Sequence, residues 1–143
     1  MPRDLTLEEF ASVSAEIAEG DAPLDRILAR HELGLDLASW RELSDRWSRI
    51  LAADESAADA YAEAFTRAQD GLKPAPQMTP EEWAELVVEV GAEGRAALVR
   101  RALGPGDHLR LARRWARVLG GDRALAARYA EAFYRATAKR AIT

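Results

Sequence analysis

The stretch "WSRILAADESAADAYAEAFTRA", Trp47–Ala68, is written again as "WARVLGGDRALAARYAEAFYRA", Trp115–Ala136. Aligned without a gap, the two copies agree at 12 of 22 positions. The agreement includes Trp47/Trp115, Leu51/Leu119, Asp54/Asp122 and the run from Tyr61 to Phe65 against Tyr129 to Phe133. A repeat of this length sets the organisation of a chain before any single element is read.

The repeats also begin alike. "LTLEEF" (Leu5–Phe10) faces "MTPEEW" (Met78–Trp83). Thr6 and Thr79 have the form of N-caps, with Glu9 and Glu82 three residues on to close a capping box. Leu5 with Phe10, and Met78 with Trp83, supply the apolar staple across each cap. Pro80 fits the first helical position, where its missing N–H costs nothing. These signals predict an acidic module over 1–69, a Pro/Gly linker over 70–77 ("DGLKPAPQ") and a basic module over 78–143.

Within each module the reading is all helix. Ala, Leu, Arg and Glu dominate, and these favour helix. No stretch alternates polar and apolar residues as a half-buried strand does. Trp40, Leu43, Trp47, Ile50 and Leu51 follow the spacing of a buried helical stripe. The expected fold is therefore all-α, two tandem four-helix modules arising by internal duplication. In the first, helices are predicted near 7–18, after an Asp21 cap, 37–53 and 56–69. In the second they are predicted near 80–91, 95–103, 107–119 and 123–139, with Asp107 as a cap. Trp47, Tyr61, Phe65, Trp115, Tyr129 and Phe133 are the predicted core aromatics.

Composition bounds the function. With 48% hydrophobic and 31% charged residues, the 143-residue chain has the make-up of a soluble globular protein. No run approaches the roughly 20 apolar residues of a membrane span. "MPRDLTLEEF" contains no apolar leader segment, which points to the cytoplasm. The absence of cysteine excludes disulfides, thiol catalysis and zinc fingers. Net charge is −4, divided unevenly: residues 1–77 carry eight Lys/Arg against sixteen Asp/Glu, residues 78–143 twelve against eight. Such asymmetry speaks to partners rather than to fold.

Chemistry is sparse. His31 and His108 stand in no metal-ligand spacing. "GPGDH" lacks the Lys-Ser/Thr of a phosphate loop. The carboxylates Glu8, Glu9, Glu81 and Glu82 lie at helix starts, where capping and the helix dipole explain them. Serine is confined to the first module. No metal, no cofactor and no catalytic set is expected. One surface feature stands out: in "HLRLARRWARVL", Arg110, Arg113, Arg114 and Arg117 share one helical face, with Leu111, Trp115, Val118 and Leu119 turned the other way. The equivalent helix of the first module is mixed, with Arg41, Glu42, Asp45 and Arg49.

In "LTLEEFA", "RILARHELGL" (Arg26–Leu35), "WSRILAAD" (Trp47–Asp54) and Tyr61–Phe65, the chain resembles a helical module of high-GC bacteria, myxobacteria especially. The second copy matches the same pattern at Met78–Ala84 and Trp115–Phe133. That module has no established activity, so the resemblance implies no catalytic residues. Some copies lie near secretion or contractile-injection gene clusters, which implies an adaptor or chaperone.

The expected function is a non-catalytic protein–protein interaction module, with the four arginines meeting an acidic surface. That surface belongs to a partner protein or to the acidic module of the same or another copy. The alternatives are a nucleic-acid-associated regulator using the same arginines, and an enzyme or cofactor protein with a site between modules. An acidic protein overall is a poor binder of phosphate backbones, which places nucleic acid behind protein.

Overall fold

The computed structural model describes residues 4–142; the expected module ends at 1–3 and 143 lie outside the described residues. Those residues form eight helices and no strand. They divide into two compact units, residues 1–74 and 75–143.

Unit 1 holds α1 (Leu7–Glu19), α2 (Leu24–Arg30), α3 (Leu37–Ala53) and α4 (Glu55–Leu72). Helix α1 begins where local chemistry dictates. Thr6 Oγ1 accepts from the Glu9 N–H at 3.1 Å and Glu9 Oε1 from the Thr6 N–H at 3.0 Å, so two orphan donors are satisfied at once. Gly20 ends the helix in the left-handed region (φ 72°), its N–H bonded to the Ile17 carbonyl. Helix α1 packs chiefly on α4, and also touches α2 and α3. The core gathers Leu5, Phe10, Val13, Ile27, Leu28, Leu33, Trp40 and Leu43, with Trp47, Leu51 and Tyr61 at its margin. Phe10 is the hub: its ring lies 5.5 Å from Trp40, 6.1 Å from Trp47 and 5.4 Å from Tyr61.

Unit 2 holds α5 (Pro80–Glu93), α6 (Arg95–Arg100), α7 (Pro105–Gly121) and α8 (Arg123–Ile142). The Thr79–Glu82 capping box opens α5 with bonds of 3.0 and 3.1 Å. Helix α5 packs chiefly on α8 and also on α6. Here the core is Trp83, Leu86, Leu98, Leu111 and Trp115. Gly94 links α5 to α6 at φ 62°, ψ −136°, a region open essentially to glycine alone.

Several local expectations need correction. Helix α4 runs through Gly71 to Leu72 and α7 through Gly120 to Gly121, so neither glycine is a stop. Each interior glycine costs about 1 kcal/mol, which tertiary packing of the helix offsets. Helix α2 is capped by Pro23 without a side-chain bond; Asp21 instead lies 3.6 Å from Lys73. Helix α7 starts at Pro105, not at Asp107. Asp107 is three residues past the Gly104 cap, and its carboxylate takes the Gly104 N–H at 2.9 Å.

Candidate functional site

Helix α7 presents fewer arginines to solvent than its sequence spacing suggests. Arg110 is only 2% exposed. It neighbours Leu111 on the helix, and the buried arc of α7, which takes in Gly106, Arg110, Leu111 and Trp115, is wide enough to include it. Its guanidinium stands 3.5 Å from Asp107, as a buried charge requires. Arg113 is half-exposed; Arg114 and Arg117 are exposed. The four-residue stripe is thus two exposed arginines, one at the margin and one structural cation.

The aromatics divide as well. Trp115 is buried, while Trp47, Tyr61, Phe65 and Tyr129 are half-buried. Burial pushes the Tyr129 hydroxyl above its ordinary pKa. Phe133 is not core: it is 38% exposed, with its ring 5.9 Å from Tyr129. It lies beside, not on, the α8 line of Leu125, Tyr129, Ala132 and Ala136, which are half-buried on a helix packed mainly on α5.

Sequence reading missed an ionic ladder in unit 2. Glu85, Glu89 and Glu93 recur every fourth residue on α5, and α6 delivers Arg100 and Arg101 to them. Arg101 holds Glu89 through Nε at 2.8 Å and Nη2 at 3.1 Å. Arg100 holds Glu93 at 3.0 and 2.7 Å. The hydrogen bonds from Arg101 and Arg100 keep the Glu89 and Glu93 carboxyls below the usual carboxylate range. The signal was present as the every-fourth-residue spacing of α5 followed by adjacent arginines. Beside this ladder an open groove of about 390 Å³ runs between α5 and α8. Glu81, Glu85 and Glu89 line one wall and Arg135, Lys139 and Arg140 the other. In unit 1 the corresponding corner joins Glu16 to Arg30 at 3.4 Å and to His31 at 3.1 Å.

An account of the charges separates the units. All eight carboxylates of unit 2 are engaged. Glu82, Asp107 and Asp122 accept backbone N–H groups at helix starts. Glu81 pairs with Arg128, Glu85 and Glu89 with Arg101, Glu93 with Arg100, and Glu131 with Arg135. Arg95, Arg114, Arg117, Arg123 and Lys139 make no ion pair among the described residues. Unit 1 holds unpaired charge of both signs, with carboxylates in excess: Arg26, Arg41, Arg49 and Arg67 make no ion pair among the described residues. Its Glu8, Asp25, Glu32, Glu42, Asp45, Glu55, Asp59 and Glu63 make no ion pair among the described residues, and all eight are exposed.

Among the described residues, no group of three or more His, Asp or Glu side chains is arranged to hold a metal. No helix of the described residues is long and apolar enough to cross a membrane. In comparisons with known proteins, no family model, no curated protein and no solved structure matches the chain.

Proposed function

We propose that this chain is a non-catalytic, cytoplasmic interaction protein made by duplication of one four-helix unit. It acts as an adaptor, chaperone or assembly subunit, of the kind its resemblance to bacterial helical modules near secretion and contractile-injection genes implies. The observation that carries this reading is the division of uncommitted charge. Carboxylates without ion-pair partners crowd unit 1, whereas every carboxylate of unit 2 is spent inside the unit and several cations are left over. Complementary fields of this kind steer association and fix its register.

Helix α8 adds contact surface to that charge. None of its residues is buried, and Tyr134 is 75% exposed on it. Tyr134 stands between the small Ala130 and Ala138, and tyrosine is among the residues that anchor interface centres. Duplication is supported by the recurrence of matched positions in the two cores: Phe10 and Trp83, Val13 and Leu86, Leu43 and Leu111.

A photo-crosslinking residue placed at position 134, with a control at the exposed, uncharged position 29, tests the proposal in the protein's own cells. Discrete protein adducts from position 134 and none from position 29 are expected. Equal, diffuse labelling from both positions would sink it.

A further inference from the structure

The two repeats differ most where they face water. On a helix of 3.6 residues per turn, Glu55, Asp59, Ala62, Thr66 and Asp70 fall within about 80° of the circumference of α4. The matching positions on α8 are Arg123, Ala127, Ala130, Tyr134 and Ala138. Thr66 is half-exposed and the other nine residues are exposed. Three carboxylates on one helix are replaced by one arginine and two alanines on the other, and a threonine by a tyrosine. The half-buried Tyr61 and Tyr129, at matching positions away from these faces, are identical in the two helices.

We infer that these outer faces are two halves of one contact, in which α4 of one copy docks on α8 of a second copy. The inference rests on the interaction reading above and names its partner. Charge selects the occupant. Glu55, Asp59 and Glu63 make no ion pair among the described residues, and neither do Arg123 on α8 nor Arg114 and Arg117 on α7. Ala127, Ala130 and Ala138 let a second helix approach to the 8–10 Å typical of packed pairs. Tyr134 then covers the small Ala62 and Thr66 face of α4. Two α8 faces do not suit one another in the same way, because each brings Arg123 and no uncommitted carboxylate.

The contact is heterologous, so copies add head to tail into a ring or an open chain. It follows that each end can be blocked separately. Asp59→Arg with Glu63→Arg blocks the α4 end; Arg123→Glu with Tyr134→Glu blocks the α8 end. All four positions are exposed, and circular dichroism checks that each variant folds.

Sedimentation velocity, at protein concentrations up to about 0.2 mM to capture weak contacts, reads the assembly. The native chain is expected to grow at about 50 mM salt and to dissociate at about 500 mM, where screening falls to roughly 4 Å. Each variant alone is expected to be monomeric. The two mixed are expected to form a 1:1 heterodimer, since each keeps the end the other lacks.

A native chain that stays monomeric at low salt overturns the inference. So does a blocked variant that still assembles, or a mixture that stays monomeric. Crosslinks from position 134 to a different protein, with a monomeric native chain, would remove self-docking and leave the interaction reading standing.

Discussion

His31 Nε2 lies 3.1 Å from Glu16 Oε1, joining the end of α2 to the third turn of α1. Unit 2 makes the same join with Arg101 and Glu89, at 2.8 Å. All four side chains are about one-fifth to one-quarter exposed. The unit 2 clamp is a two-point hydrogen bond; the unit 1 contact has no aligned hydrogen bond at His31 Nε2.

Arginine offers two parallel N–H donors to one carboxylate, which an imidazole cannot do. Replacing His31→Arg is expected to reproduce the unit 2 clamp in unit 1. The gain is about 0.5 kcal/mol at neutral pH, within the range of partly exposed pairs. Thermal unfolding measures it. No gain would show that Glu16 is not placed to accept a two-point hydrogen bond from position 31.

Glu89 is one of the carboxylates that make unit 2 sensitive to acid. Its carboxyl is held below the ordinary value of 4.5, first by the Arg101 hydrogen bond and then by the charges of Arg101 and Arg100, against the opposing effect of burial. A depressed folded pKa gives stability that is complete above the unfolded value and is lost as pH falls through the folded one. Glu89→Gln is therefore expected to cost about 1 kcal/mol at neutral pH and almost nothing near pH 3. Urea unfolding at the two pH values, followed by circular dichroism, checks the sign. A cost that is as large in acid would assign the effect to packing.

The starts of α1 and α5 were legible because capping is local chemistry, whereas those of α2 and α7, which lack a side-chain N-cap, were misplaced. Thr6 with Glu9, and Thr79 with Glu82, need only three residues of sequence to be recognised, and the bonds form as that spacing requires. Helix ends were harder to read, since Gly71 and Gly120 stay helical at a cost that contacts elsewhere offset. The arginine stripe shows the limit of a helical wheel. Periodicity set Arg110 on the outward arginine face, yet it is buried, because how wide an arc of α7 the rest of unit 2 covers is not written in the spacing. Phe133 erred the opposite way. It belongs to an aromatic run identical to that of unit 1, yet stands at the edge of a helix with no buried residue. The Glu85–Glu89–Glu93 ladder was visible only as spacing; its meaning depended on where α6 brings Arg100 and Arg101.

The paired tryptophans offer an internal control. Trp47 Nε1 donates to the Leu5 carbonyl at 3.1 Å. Trp115, at the matching position, is 4% exposed, and its Nε1 has no hydrogen-bond partner. Phenylalanine at 47 loses the bond to Leu5, worth about 1 kcal/mol net, whereas phenylalanine at 115 removes an N–H buried without a partner, which offsets part of the packing loss at this more deeply buried site. Trp47→Phe is therefore expected to be more costly than Trp115→Phe although its ring is the more exposed of the two. Chemical unfolding of the two variants measures this. Equal costs would mean that Trp115 finds a partner in solution that matches the Leu5 carbonyl.

Arg110 differs from Arg114 and Arg117 in a way that charge reversal exposes. Arg110→Glu places a second carboxylate beside Asp107 in a site that is 2% open to water. Leaving like charges buried without a counter-ion costs about 3 kcal/mol or more, enough to unfold much of unit 2 at ambient temperature. Arg114→Glu and Arg117→Glu stand on exposed positions and are expected to stay within about 0.5 kcal/mol of the parent. The same two substitutions should nevertheless weaken any association with an acidic surface, because they remove cations that no carboxylate of unit 2 neutralises. Stability and assembly are therefore expected to separate cleanly along one helix: reversal at 110 destroys the fold, reversal at 114 and 117 alters only salt-dependent sedimentation. If reversal at 114 and 117 lowered stability as much as reversal at 110, the exposed positions would be part of the structural core and not of a working surface.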